Sequence, residues 1–186
     1  IEVRFVDPAD PENFLKATDD RTRAYYGEVL PNPSFEVFPL KEVADLGKPL
    51  GIPLIVDNTA APVICKPFDH GVSVLLHSTT KYIGGHGNSI GGILVDSGNF
   101  EWEKFPERQP KLNTPDPSYA GAVWTEAVKP LGPIAYILKA RVTLLRDMGA
   151  AMSPFNAFMF LTGMETLPLR MRAVSYTHLT LPTTGV

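Results

Sequence analysis

The sequence has little of what several functional classes require. Its 186 residues include one cysteine, Cys65, so no intrachain disulfide can form, which is typical of a reducing cytoplasm. The net charge is −3 and no basic run occurs, so neither nucleic acid nor an anionic membrane is an expected partner. No apolar stretch is long enough to span a bilayer. The composition, 44% hydrophobic and 20% charged, instead predicts a globular unit with a substantial core.

Polar chemistry is concentrated directly after the apolar run of residues 72–76. Residues 77–87 are His-Ser-Thr-Thr-Lys-Tyr-Ile-Gly-Gly-His-Gly. An aliphatic run that ends in hydroxyls, a lysine and glycines is typical of a buried strand with polar groups at its carboxyl end. Burial there would favour the neutral, nucleophilic amine of Lys81, while Ser78 and Thr80 could donate to a phosphate. On spacing alone, however, a solvated Ser/Thr-rich turn explains this segment better.

A second apolar run, residues 51–56, ends in a carboxylate, Asp57. A carboxylate so placed can pair with the protonated nitrogen of a pyridine ring, while Lys81 binds an aldehyde of the same ring as an imine. The alternative is that Asp57 caps a turn or a helix. Two strands that end in complementary groups favour the cofactor site over a solvated turn.

Three motifs occur in an order that resembles the Cys/Met-metabolism pyridoxal-phosphate enzymes. They are Val56-Asp57-Asn58-Thr59, the segment of residues 77–87, and Ser153-Pro154-Phe155-Asn156-Ala157. Within this family the chain most resembles the O-acetylhomoserine sulfhydrylase group, over residues 1–172. The resemblance implies pyridoxal 5'-phosphate as cofactor and assigns its ligands: Lys81 as the Schiff-base and catalytic lysine, Asp57 at the pyridine nitrogen, Ser78 and Thr80 at the phosphate, and Asn32 at the phenolic oxygen.

The function implied by the resemblance is that of a cytoplasmic transferase of methionine biosynthesis. Such an enzyme exchanges the acetate of O-acetylhomoserine for sulfide, giving homocysteine. It takes a small amino-acid substrate and works as a homotetramer, and Lys81 would be its general acid and base. Cystathionine γ-synthase and methionine or cystathionine γ-lyase would share Lys81 and Asp57, but Gly85-His86-Gly87 and the long segment 96–132 favour a sulfhydrylase. A non-catalytic domain that binds phosphate or subunits is the alternative from another class.

Alternation of strands and helices predicts an α/β fold, the fold-type-I large domain in part, with a mostly parallel sheet flanked by helices. We expect strands at residues 1–6, 22–30, 52–57, 72–76 and 91–95, and helices at 13–17, 39–46, 133–152 and 155–167. Residues 96–132 should form short helices, because the segment is too long for a bare connection. The histidines lack metal-ligand spacing, so no metal is predicted.

The two ends carry a separate expectation. The chain begins without methionine inside a predicted strand, and residues 173–183 match what one frame of a common transposon sequencing adaptor encodes. We therefore expect residues 1–172 to be a partial PLP-binding large domain, ending in helices that lead to a missing carboxyl-terminal domain. Residues 173–186 are expected to be a non-native tail without fixed packing. The chain alone is expected to be inactive, because the family's other substrate and cofactor contacts lie outside it.

Overall fold

The centre of the molecule is a four-stranded sheet. A computed structural model describes residues 1–180, with side chains described as far as Tyr176. The strands are β1 (Tyr25–Glu28), β2 (Leu54–Asp57), β3 (Val74–Ser78) and β4 (Gly92–Asp96), in the order β1-β2-β3-β4. β1, β2 and β3 are parallel, and β4 runs antiparallel to β3. The predicted α/β fold with a mostly parallel sheet is confirmed.

Helices flank the sheet and form the carboxyl-terminal part. The α-helices are α1 (Glu12–Lys16), α2 (Leu40–Gly47), α3 (Pro110–Asn113), α4 (Trp124–Ala127), α5 (Ala135–Ala140), α6 (Pro154–Met164) and α7 (Leu167–Thr180). Short 3₁₀ turns occur at Lys48–Leu50, Pro67–His70, Trp102–Lys104, Pro117–Tyr119 and Lys129–Leu131, and a π-helical segment at Arg141–Asp147. Among the described residues, no helix combines the length and apolar content needed to cross a bilayer.

Apolar side chains cover both faces of the sheet. Successive residues of a strand point to opposite faces, so Leu54 and Val56 lie on one face and Ile55 on the other. The first face packs with α2 through Val43, which is fully buried. The second packs with the aromatic cluster that segment 96–132 supplies, including Trp102 and Trp124. Burial on both sides holds the strand ends in a fixed register, which is what a site at those ends needs.

Residues 1–6 do not form the predicted strand. Ile1 and Phe5 are exposed, and Arg4 instead donates to the carbonyl of Ala17 and to the carboxylate of Asp19, at 2.8 and 2.7 Å. An alternating apolar pattern forms a strand only where a sheet edge pairs with it, and this segment is held by ionic contacts. The first predicted element is therefore wrong.

The carboxyl-terminal helices are divided differently from the prediction. The expected helix over 133–152 is shorter: α5 ends at Ala140, a π-helical segment follows, and Gly149 has a positive φ of 76°. The expected helix over 155–167 is two helices, because α6 ends at Met164 and α7 begins at Leu167. Residues 173–180 continue α7, and residues 181–186 lie outside the described part. That residues 173–186 lack fixed packing stays a prediction.

Candidate active site

Three parallel strands end side by side at one edge of the sheet. Glu28 is level with Asp57, and Asp57 with Leu76. Backbone bonds continue just past the strands: the amide of Val29 donates to the carbonyl of Asp57 at 3.0 Å, and that of Asn58 to the carbonyl of Leu76 at 2.9 Å. The chain continues from these ends into the residues that the sequence singled out. The sheet therefore brings Asp57, Ser78 and the segment after Ser78 to the same edge.

Thr59 joins the ends of β2 and β3. Its backbone amide donates to Oδ1 of Asp57 at 2.7 Å, and its hydroxyl oxygen accepts from the backbone amide of Ser78, also at 2.7 Å. Asp57 and Ser78 are thus linked through a single intervening residue. Thr59 belongs to the motif Val56-Asp57-Asn58-Thr59, in which no role was expected for it. An aspartate followed two residues later by a threonine is typical of a side-chain turn, and this signal could have identified it.

Lys81 lies in a turn that is closed by backbone hydrogen bonds. Its amide donates to the carbonyl of Ser78 at 3.1 Å, and its own carbonyl accepts from the amide of Gly85 at 2.8 Å. A third bond, from the amide of Gly84 to the carbonyl of Thr79, spans the turn at 2.8 Å. The lysine side chain itself is exposed. The dry surroundings expected for its amine are therefore not supplied by the packing of this chain.

The hydroxyl of Thr80 is engaged within the protein. It donates to the carbonyl of Gly91 at 3.1 Å and accepts from the amide of Gly91 at 3.0 Å. A hydroxyl has one proton to donate, so Thr80 can bind a phosphate oxygen as a donor only by giving up the carbonyl of Gly91. In this structure Thr80 ties the turn of Lys81 to the start of β4. The neighbouring Thr79 differs, because its hydroxyl is buried and, within the described part of the chain, has no hydrogen-bond partner.

Asn32 lies past the end of β1 on an exposed stretch of chain. Between it and the strand, Val29 is buried and anchors the segment in the core. Asn32 comes after β1, which ends at the same edge of the sheet as β2 and β3. Its side chain takes no part in the hydrogen bonds that join Asp57 to Ser78. The structure thus links Asp57 with Ser78 through Thr59, and Asn32 takes no part in that link.

Two ionisable groups beside Asp57 were missed or given no chemical role. Burial and the charges of Asp57 and Glu28 raise the pKa of the Tyr26 phenol. Burial lowers the pKa of His77, and the charge of Asp57 opposes that shift less strongly. Burial is the main cause of both shifts; the Asp57 carboxylate adds to the shift of Tyr26 and opposes that of His77. The edge therefore has a negative charge at Asp57 beside groups that stay neutral near pH 7.

The last motif, Ser153 to Ala157, contacts the loop that precedes β4. Ser153 caps α6 by accepting from the amide of Asn156 at 3.4 Å, and the side chain of Asn156 donates to the carbonyl of Ile90 at 3.0 Å. Ile90 immediately precedes Gly91, which bonds to Thr80. The motif therefore connects helix α6 to the loop that follows Lys81.

The groups at this edge fit the chemistry of pyridoxal 5'-phosphate. An amine, a carboxylate and a hydroxyl are present in Lys81, Asp57 and Ser78, and they match the aldehyde, the pyridine nitrogen and the phosphate of that molecule. Asp57 keeps acceptor capacity, because an ionised carboxylate accepts several hydrogen bonds and the turn to Thr59 uses one. In the described residues, no three His, Cys, Asp or Glu side chains cluster as metal ligands would.

Comparison with known proteins gives a consistent result. Residues 1–181 match the family model of the Cys/Met metabolism PLP-dependent enzymes. The chain is 48% identical over 177 residues to the O-acetyl-L-homoserine sulfhydrylase of Leptospira meyeri, covering 92% of this chain and 40% of that protein. It is 45% identical over 172 residues to the homocysteine/cysteine synthase of Saccharomyces cerevisiae, covering 91% and 38%. The chain thus spans about two fifths of the length of these relatives.

Solved structures agree with the sequence matches. A protein assigned as an O-acetylhomoserine (thiol)-lyase, from Campylobacter jejuni, superposes with a TM-score of 0.81 at 35% identity, over 88% of this chain and 39% of that one. That structure contains N'-pyridoxyl-lysine-5'-monophosphate. The O-acetylhomoserine sulfhydrylase of Wolinella succinogenes superposes with a TM-score of 0.71 at 31% identity, over 90% and 44% of the two chains.

Proposed function

This chain belongs to the Cys/Met metabolism family of PLP-dependent enzymes, and from that premise we propose that its sheet edge binds pyridoxal 5'-phosphate through Lys81. We propose further that the whole protein transfers the aminocarboxypropyl group of O-acetylhomoserine to sulfide, giving homocysteine. The observation that carries the proposal is the hydrogen-bonded link from Asp57 through Thr59 to Ser78, at the edge that also presents Lys81. The relatives from Leptospira meyeri and Saccharomyces cerevisiae, an O-acetyl-L-homoserine sulfhydrylase and a homocysteine/cysteine synthase, support this choice of substrate and product.

Each residue has a distinct task in this proposal. When bound, the cofactor supplies an electron-withdrawing ring. Asp57 accepts a hydrogen bond from the pyridine nitrogen and keeps it protonated. Lys81 would hold the aldehyde carbon and, once the substrate amine displaces it, would remove the protons at the substrate Cα and Cβ and return them there, while acetate leaves Cγ and sulfide bonds to Cγ. The hydroxyl of Ser78 donates a hydrogen bond to the phosphate.

Thr80 and Asn32 differ from Ser78 in their surroundings. Thr80 becomes a phosphate donor only if its proton leaves the carbonyl of Gly91, although it can accept from Gly91 throughout. Asn32 reaches the phenolic oxygen from the exposed segment beyond β1. We therefore propose that Ser78 contributes more than Thr80 or Asn32 to holding the cofactor in this chain.

The proposed assembly of the whole protein is a homotetramer that acts on a small amino acid. Support comes from helix α6, on which Phe155, Phe158 and Leu161 are each more than 60% exposed. Exposed aromatic and aliphatic side chains grouped on one helix are typical of a surface that another part of the protein covers. Light scattering on the full-length protein would measure its subunit number.

The test of cofactor binding can be made on the chain itself. Pyridoxal 5'-phosphate is added, the imine is reduced with borohydride, and the modified peptide is identified by mass spectrometry. Modification is expected at Lys81, and Lys81→Ala should remove it. Asp57→Asn should weaken cofactor binding without changing the modified residue, because it removes only the charge opposite the ring nitrogen.

A matched control removes a different lysine. Lys66 is also exposed, so Lys66→Ala tests whether an exposed lysine elsewhere on the chain reacts nonspecifically. In the Lys66→Ala variant, Lys81 should be modified to the same extent as in the unmodified chain. Equal labelling of Lys66 and Lys81 in the unmodified chain would contradict the assignment of Lys81.

A further inference from the structure

Arg170, on α7, binds the backbone of the turn that carries Lys81. Its Nη1 donates to the carbonyl of Tyr82 at 2.6 Å, and its Nη2 donates to the carbonyl of Ile83 at 3.2 Å. These acceptors are the two residues that follow Lys81, and they lie 88 and 87 positions before Arg170 in the sequence. The guanidinium therefore links the carboxyl-terminal helix directly to the proposed cofactor lysine's own turn.

The guanidinium is itself held in place. Nη2 also donates to the carbonyl of Gly163, at the end of α6, at 2.8 Å, and Nε donates to the hydroxyl of Thr166 at 3.1 Å. Arg170 is half-buried, so these bonds are partly shielded from water. All three nitrogens of the planar group thus have acceptors on protein atoms. A lysine cannot reproduce this arrangement, since it has one nitrogen at the end of a flexible stem.

The fit between the helices and the turn depends on glycines. A Cβ on Gly85 would lie 2.4 Å from Nη1 of Arg170, and a Cβ on Gly163 would lie 2.3 Å from the carbonyl oxygen of Gly84. Neither distance is possible for real atoms without movement. Gly163 lies within a helix, where glycine is otherwise unfavourable by comparison with alanine. Its presence there is explained by the close approach of α6 to the turn.

Arg170 supplies donors that the turn does not supply for itself. Backbone amides of the turn donate to the carbonyls of Ser78, Thr79 and Lys81. The carbonyls of Tyr82 and Ile83 are bonded by the guanidinium. The second half of the turn is therefore fixed from outside.

We propose that Arg170 is a positioning residue for Lys81, which fixes the backbone after the lysine so that its amine meets the cofactor from one direction. The inference rests on the proposed function, because it assumes that Lys81 is the cofactor lysine. Arg170 touches neither the cofactor nor the substrate in this assignment. It acts through the peptide groups of Tyr82 and Ile83.

The experiment compares Arg170→Gln and Arg170→Lys with a control on the same helix. Arg172→Gln is the control, because Arg172 donates to the carbonyl of Pro168 within its own helix, at 3.4 Å. The rate of cofactor attachment to Lys81 is measured by borohydride trapping. Both Arg170 variants should attach cofactor about tenfold more slowly, the change expected when a hydrogen bond from a charged group is lost. The control should match the unmodified chain.

A second readout does not need the cofactor. Amide hydrogen exchange at Gly84 and Gly85 reports the turn directly, because these amides donate to the carbonyls of Thr79 and Lys81. Exchange at both should accelerate by about tenfold in the Arg170 variants, for the same reason. Exchange within β2 should stay unchanged, which shows that the sheet remains folded.

Gly163→Ala approaches the same contact from the other side. Alanine favours the helix but places a methyl group against the carbonyl of Gly84, so helix content should not fall while attachment at Lys81 slows. If the unmodified chain attaches cofactor and Arg170→Gln attaches it equally fast, the positioning role is overturned and the proposed function is untouched. If the unmodified chain attaches none at Lys81, the proposed function fails and the inference falls with it.

Discussion

Thr59→Val should loosen the junction between β2 and β3. Valine has nearly the shape of threonine but cannot accept the hydrogen bond that the amide of Ser78 donates to the Thr59 hydroxyl at 2.7 Å. Both residues are half-buried, so water replaces the lost acceptor only in part. Leaving such a donor unsatisfied costs about 1–3 kcal/mol. The bond from the amide of Thr59 to Asp57 does not involve the hydroxyl and should remain.

The effect is best measured where the bond is lost. A destabilisation of about 1–3 kcal/mol corresponds to a factor of roughly 5–150 in an equilibrium, so exchange of the Ser78 amide should accelerate by about that factor. Urea unfolding measures the global part of the same change through its midpoint. Cofactor attachment at Lys81 should weaken as well, because Ser78 is the proposed phosphate donor.

Two controls separate this bond from the loss of any hydroxyl. Thr59→Ser keeps the acceptor and should behave like the unmodified chain. Thr162→Val removes a hydroxyl that donates to the carbonyl of Phe158 on its own exposed helix turn, at 3.1 Å, and should have little effect on exchange at Ser78. If the Ser78 amide exchanges at the same rate in Thr59→Val as in the unmodified chain, the role assigned to Thr59 is refuted.

The remaining predictions concern pH and packing. Because burial holds the pKa of His77 below its ordinary 6.5, the unfolded chain takes up a proton first as pH falls, so stability should decrease below about pH 6.5. His77→Gln should flatten this dependence, as measured by the urea midpoint between about pH 7.5 and about pH 5.5; an unchanged slope would contradict the assignment. Gly27→Ala would place a Cβ 2.5 Å from the ring of Phe38 and should destabilise by about 1–3 kcal/mol. Gly92→Ala is its control, since the nearest atom lies 3.5 Å away, and equal urea midpoints for the two variants would refute the packing argument.

The sequence predicted the inner strands of the sheet well, because short aliphatic runs are typical of strands that are buried on both faces. Residues 54–57 and 74–78 fall within or beside the predicted strands, and the family that the three motifs indicated is the one that the chain matches. Residues 1–6 have a similar pattern and form no strand, since strand formation depends on a partner edge that local sequence does not specify. The helix breaks at residues 140 and 164 were missed because the apolar pattern continues across them.

The candidate site was predictable in its chemical groups and less so in its contacts. A lysine and a carboxylate that follow apolar runs make Lys81 and Asp57 candidates, because parallel strands end at one edge of a sheet. The bond of Thr80 to Gly91 and the bonds of Arg170 to the turn join residues 11 and 88 positions apart. Such pairings follow from the packed fold. They leave no periodic signal in the sequence.

The antiparallel return of β4 bears on the order in which the site assembles. The bond between Thr80 and Gly91 closes a segment of 11 positions, whereas the bond between Thr59 and Ser78 closes one of 19. Loop-closure entropy favours the shorter segment by only about 0.5 kcal/mol, but hairpins also form within microseconds and need no crossover. We expect the turn of Lys81 to become protected before the ends of β2 and β3 are joined through Thr59, and pulse-labelled amide exchange during refolding would order the two events. The turn that carries Lys81 would then form before the strand end that carries Asp57 is fixed at the same edge of the sheet.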